Sequence, residues 1–284
     1  MSERSEEAKP KEQRLYAKLA SEGPYGPGIG SALITMVEPH PGHEHAYNRW
    51  YEDDHYISGA MSMPWMFAGR RWVAPRPLQL LRYPAESAVA KPVTAGAYIT
   101  VYWINEGRYQ DHMDWTVAIN RRLYPDGRVF QERTHVFTSF QSYLGAVYRD
   151  GDSGPRDLHA LNHPYAGLVV EVFDAADGQD PAALAAWLKE KHLPAKLDNT
   201  PIAMATVFEP MPLPGTTPTY VKPVEGVGRR ITVLYFLEQD PAAWWDLFTL
   251  DGAVVGASGL GRLEFAAPFI PTVPGTDKYV DQLR

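Results

Sequence analysis

Ile99-Thr-Val-Tyr-Trp-Ile-Asn-Glu106 and Ile231-Thr-Val-Leu-Tyr-Phe-Leu-Glu238 decide the fold. Each is an unbroken run of β-branched and aromatic residues that closes near a glutamate, the pattern of a strand buried on both faces. Working outward from the first copy, SALITMVEP (31–39) is a strand stopped by Pro39. HEHAYNRWYEDDHYISGAM has helical spacing, and WMFAGRRWVAP (65–75) alternates as a strand. After AGAYITVYWIN (95–105), GRYQDHMDWTVAINRRLYPDG is a helix halted by Pro125 and Gly127, and RTHVFTSFQSYLGAVY (133–148) is a last strand. Around the second copy the order repeats. YAGLVVEVFD is a strand. DPAALAAWLKEKHLPAKL is a helix that Asp180 caps with Pro181 at its first position. IAMATVFEP and GRRITVLYFLEQ are strands, DPAAWWDLFTLDGAVV starts as a helix, and GRLEFAAPFI closes the unit.

Other residues match across the halves. Trp50 precedes His55 by five positions, as Trp187 precedes His192; Ala68–Pro75 lies over Ala203–Pro210, and Asp111–Trp115 over Asp240–Trp244. The offsets fall along the chain through 137, 135, 132 and 129, as small loop deletions would produce. The fold class predicted is α+β: two tandem ferredoxin-like βαββαβ units. Each unit leaves one sheet face uncovered, and the two faces bury each other in a barrel-like pair. The expected boundaries are an N-terminal arm (1–28), a first domain (29–150), a linker (151–163) within RDGDSGPRDLHALNHP, and a second domain (164–284).

Composition narrows the function. A net charge of −7 and pI near 5.7 argue against general nucleic-acid affinity. The absence of cysteine removes disulfides, thiolate nucleophiles and Cys-ligated metals. No stretch is apolar enough for a membrane span, and the charged N-terminus lacks an apolar leader, so a cytoplasmic location is expected. Eight Trp and 16 Tyr, many beside Arg, His or Asp, suit a pocket for a flat organic molecule.

Trp50-Tyr51-Glu52-Asp53-Asp54-His55 within NRWYEDDHY, followed by a strand carrying GRRW, resembles the EthD-like members of the dimeric α/β-barrel superfamily. The Pro that often follows that His is missing after His55 but present in His192-Leu193-Pro194, where the Trp-Tyr pair is reduced to Trp187-Leu188. The resemblance implies the paired ferredoxin-like fold. It also implies one of several activities: cofactor-free monooxygenases, polyketide cyclases, lactone isomerases and lyases, or haem enzymes such as chlorite dismutase-like proteins and aldoxime dehydratases.

On a helix, Asn48, Tyr51 and His55 share a side, while Asp54 points roughly 100° away. His55 is the expected general base, with Asp54 or Asn48 as its orienter. Arg70 and Arg71 occupy opposite strand faces, and either one, beside aromatic rings, could hold an oxyanion. Ile231 and Val233 are read as helix-facing. By the strand match Tyr98, Thr100 and Tyr102 then face the space between repeats, where Tyr102 donates to a substrate oxygen. His135 joins His55 as an acid/base pair. Asn48, Tyr51, Arg70, Trp72, Trp103 and Trp115 are the expected substrate contacts, with Trp115 in the core. His43 and His45, two apart, diverge by roughly 200° on a helix, so they and His55 are not expected to hold a metal. A haem would need an axial histidine such as His112 or His192, and no cofactor is expected.

These parts predict a cofactor-independent lyase, cyclase or isomerase acting by proton transfer on a small aromatic substrate, possible as a homo-oligomer. The alternatives are a cofactor-free monooxygenase of aromatic or polyketide molecules, a haem-binding enzyme of the same fold, and a non-catalytic ligand-binding accessory protein.

Overall fold

A computed structural model describes residues 28–63, 65–213 and 224–284, so the expected N-terminal arm falls outside the described residues but for Gly28. The first half runs β1 (Ile29–Pro39), α1 (Glu44–Trp50) continuing as a π-helix (Tyr51–Met61), β2 (Met66–Val73), short α2 (Arg76–Gln79), β3 (Tyr98–Asn105), α3 (Tyr109–Leu123) and β4 (Arg133–Tyr148). The second runs β5 (Gly167–Ala175), α4 (Pro181–Trp187), a π-helix (Leu188–His192), α5 (Leu193–Leu197), β6 (Ile202–Pro210) and β7 (Arg230–Leu237). A 3₁₀ turn (Pro241–Trp244), α6 (Asp246–Thr249), α7 (Asp251–Ser258) and β8 (Gly261–Pro271) complete it. The Asp180 and Asp240 carboxylates accept the amides of Ala182 and Ala242 at 2.8 and 2.9 Å, with proline next in each case. This satisfies donors that a helix start leaves free.

The eight strands close into one barrel in the order β1-β3-β2-β8-β5-β7-β6-β4. Each half contributes the 4-1-3-2 order of a ferredoxin-like unit. The two seams are unequal. β4 and β6 pair from Gln141–Pro210 to Tyr148–Met204, whereas β2 meets β8 only at Trp72–Pro271 and Val73–Ile270. Two bulges recur in matching places. Phe67 and Ala203 are skipped in the pairing of β2 and β6 with their neighbours β3 and β7, and Val136 and Glu264 are skipped in the pairing of β4 and β8 with β1 and β5. A bulge re-aims its strand, so sharing both marks the halves as one repeated unit.

These contacts correct the strand match. Tyr102 pairs with Leu33 and Gly69, and Tyr235 pairs with the equivalent Val169 and Ala205. Tyr102 therefore corresponds to Tyr235, one residue away from the pairing by identity. One residue of slip exchanges the faces of a strand. Ile231 and Val233 do face the helices, as expected. Ile99, Val101 and Trp103 point into the barrel, while Tyr98, Thr100 and Tyr102 lie under α1 and its π-helix.

The barrel interior, expected to hold an aromatic-lined hollow, is packed with Met36, Trp72, Trp103, Phe208, Phe236 and Phe269. The segment between β4 and β5 contributes to it: Ala160, Leu161 and Tyr165 are buried there, and the Trp103 indole donates to the Asp157 carbonyl at 3.2 Å. Among the described residues, no helix is long and apolar enough to cross a membrane.

Candidate functional site

In the first half, the space between sheet and helices holds a polar aromatic cluster. The Tyr51 hydroxyl donates to Thr100 Oγ1 (3.0 Å) and lies 2.5 Å from the Tyr102 hydroxyl. Burial raises both phenols above their ordinary range. The Tyr102 ring packs against Gly69, where an added Cβ would come within 2.6 Å of it. Arg71 is the helix-facing arginine. It donates to Asn48 (2.7 Å) and Glu52 (2.9 Å), and its guanidinium lies 4.0 Å from the Tyr98 ring centroid and 4.4 Å from that of Tyr51. Asn48 in turn donates to Thr276 and Asp277, anchoring the C-terminal segment. Arg70 takes the other face, over Trp72 and bonded to the His163 carbonyl. Both arginines line a small cavity of about 300 Å³ with Glu52, Tyr56 and Leu161, at the weak β2–β8 seam.

His55 stacks on Trp50 with ring centroids 4.2 Å apart, against Gly59. Burial, followed by the nearby Arg133 guanidinium, pulls its pKa down to about 3. The expected orienter is engaged elsewhere: Asp54 binds Arg128 and Ser58. His135 is exposed on β4, where its Nδ1 is 2.8 Å from the Thr138 hydroxyl. His55 and His135 sense each other electrostatically, but the structure shows no hydrogen bond between them. Trp72 and Trp103 are fully buried in the barrel and Trp115 is only half-buried, so the first two form core rather than a substrate wall and the third is not the core residue expected. His112, named above as a conceivable axial histidine, is fully buried. His45 bonds Asp281 at 2.8 Å while His55 stacks on Trp50, so these imidazoles do not converge.

The second half builds a different cluster on the same frame. His192, at the end of its π-helix, stacks on Trp187 as His55 does on Trp50. Its Nε2 is 3.3 Å from Asp251, and the Lys196 ammonium bonds the other Asp251 oxygen and the Leu247 carbonyl (2.7 Å). Lys196 also lies over Phe248. Beneath them Glu171 accepts the Tyr235 hydroxyl at 2.6 Å. His192, Lys196 and Asp251 form the polar wall of a cleft of about 690 Å³, faced by Trp244, Leu247 and Leu250. That size and mixture suit a small organic ligand. Burial alone would raise the Asp251 pKa, but the adjacent His192 imidazole and the Lys196 charge outweigh it and hold Asp251 below its usual range. Burial, then Asp251, push Glu171 well above its own.

One atom each of Glu171, His192 and Asp251 come within 4.8 Å of one another. The charge that such a trio would offer a metal is met here by Lys196. The residues do not fit a haem in this cleft either, since the His192 Nε2 that would ligate iron faces Asp251, with Lys196 alongside.

No family model matches the chain, and no curated protein matches it in sequence. In shape it is similar to a candidate chlorite dismutase, at 14% identity and TM-score 0.51, over 89% of this chain and 99% of that one. It is also similar to a candidate monooxygenase from Fusobacterium nucleatum, at 7% identity and TM-score 0.50, over 87% and 94%. The chain has the dimeric α/β-barrel fold, carried in one polypeptide. Within that fold both halves keep the stacked Trp–His pair and the central tyrosine of the third strand (Tyr102, Tyr235). Only the second half adds the carboxylates and the lysine.

Glu171, Lys196, Tyr235 and Asp251 were absent from the candidates read from sequence. The one sequence signal was Glu171 itself, a carboxylate in the middle of the apolar run LVVEVF, at a position that alternation aims at the helices.

Proposed function

We propose that the chain is an enzyme whose reaction begins with proton transfer in the His192 cleft. We further propose that it performs oxygen-dependent chemistry of the cofactor-free monooxygenase kind, rather than the lyase, cyclase or isomerase step first expected. One observation carries the reading: His192 and Lys196 flank one carboxylate at the wall of a ligand-sized cleft. His192, oriented by Asp251, takes a proton from an activated C–H or O–H group. An ammonium has three N–H donors. Two of those on Lys196 are spent on Asp251 and Leu247, and we assign the third to a developing enolate or phenolate oxygen. Trp244, Leu247 and Leu250 suit an aromatic body.

The shape shared with the Fusobacterium nucleatum protein described as a candidate monooxygenase supports the oxygen-dependent branch. The electrons balance without a cofactor: an activated CH₂ group and O₂ yield a carbonyl and water, the substrate being the reductant. Oxygen uptake by the purified protein with a panel of phenols and enolisable aromatic ketones tests this. Substrate-dependent uptake, one O₂ per product, is expected. Turnover that continues under nitrogen would restore the lyase or isomerase reading, and binding without turnover would restore the accessory-protein reading.

A further inference from the structure

We propose that Glu171 and Asp251 share one proton and act as the proton reserve of the cleft, an inference that rests on the His192 cleft being the reaction site. Both side chains are buried, at 0% and 3% exposure. Glu171 Oε2 accepts the Tyr235 hydroxyl, but Oε1 has no partner as an acceptor. A carboxylate only accepts hydrogen bonds, and one facing another carboxylate gains a partner only when a proton lies between them. The groups facing Glu171 are Tyr235 from β7, Asp251 from α7, Lys196 from α5, His192 from the π-helix and Tyr83 from the loop after α2.

The charge balance points the same way. With Glu171 ionised, two buried anions would oppose a single ammonium; one proton leaves a single anion for Lys196. The anion is Asp251, because Lys196 and His192 both contact it, whereas the Glu171 hydrogen bond is to a phenol. The consequence for the reaction is a relay. When the product oxyanion needs a proton, Asp251 takes the Glu171 proton and passes it on to His192, and solvent reprotonates Glu171 afterwards. Glu171 is thus a positioning residue that acts through Asp251.

Infrared difference spectroscopy on the intact chain at pH 7 tests this without any substrate. The wild type should show the carbonyl stretch of a neutral, exchangeable carboxylic acid, fading as pH is raised. Glu171→Gln should remove that band. Asp251→Asn should remove it as well, because Glu171 must then ionise to serve Lys196. Absence of the band in the wild type, or its survival in Glu171→Gln, overturns the assignment, and survival in Asp251→Asn shows that the proton is not shared. If Glu171→Gln does not fold, the wild-type pH titration together with Asp251→Asn decides. Because the readout needs no turnover, its failure is distinct from failure of the proposed reaction. Where turnover is found, Glu171→Gln should lower kcat about tenfold and leave KM near the wild-type value.

Discussion

The Trp187 indole and the His192 imidazole lie parallel, 5.5 Å apart at 14°, and Trp50 and His55 repeat the arrangement at 4.2 Å and 19°. A spacing of five residues stacks rings only where the helix is widened to i→i+5 bonding, and both pairs span the start of a π-helix. Such segments often accompany functional sites. Here the widened turn brings His192 to Asp251. Replacing Trp187 with Leu should cost about 1–2 kcal/mol of stability, from lost area and stacking, measured by urea denaturation. It should weaken catalysis more than binding, because the imidazole loses its support.

Lys196 and Asp251 form a buried pair, so each makes the other tolerable. Lys196→Met should destabilise the fold by about 3–5 kcal/mol, since it strands the Asp251 charge, while adding Asp251→Asn should recover most of that loss. A double-mutant cycle in urea checks it. Additive costs would mean that the two groups do not interact in solution.

Glu171 has a folded pKa raised above its unfolded value, mainly by burial. Its contribution to stability is therefore complete below about pH 4.5 and is lost as pH rises toward the folded pKa. Between pH 5 and 9 the wild type should lose stability relative to Glu171→Gln, whose curve lacks this slope. Parallel curves from chemical denaturation would contradict the burial of a neutral acid there.

His55 carries the opposite sign. Its folded pKa, near 3, lies below the ordinary 6.5, so the unfolded chain binds the proton first and stability falls as pH drops from 6.5 toward 3. Over the two units from pH 6.5 to 4.5, His55→Gln should spare up to about 2 kcal/mol of that loss, read from denaturation midpoints at the two pH values.

The fold was legible because its signals are local. The strand runs, the Asp-Pro helix starts at Asp180 and Asp240 and the Trp–His spacing each report on a few neighbouring residues. What escaped depended on phase or on distance. The face of β3 turns on a single residue of register, and identity alone set Ile99 over Ile231 when the bulges set Tyr102 over Tyr235. Asn48 and Tyr51 were read onto one helix side; the structure adds Arg71 to them, and the three tie α1 to the sheet and the C-terminal segment. The segment between β4 and β5 is polar on average, but Ala160, Leu161 and Tyr165 find the barrel interior. The second-half cluster joins β5, a π-helix, α5, β7 and α7, which no spacing rule connects. Its readable marks were the Trp187–His192 spacing and Glu171.

The central claim is that the second half, and not the first, holds the reacting groups. Oxygen uptake with a phenol that the wild type turns over should be measured for His192→Gln and His55→Gln, each checked for folding. The expected result is a loss of at least about 100-fold in kcat for His192→Gln, the low end of general-base catalysis, with His55→Gln within a few-fold of wild type. Full activity in His192→Gln together with loss in His55→Gln would contradict this account and return the chemistry to the first half.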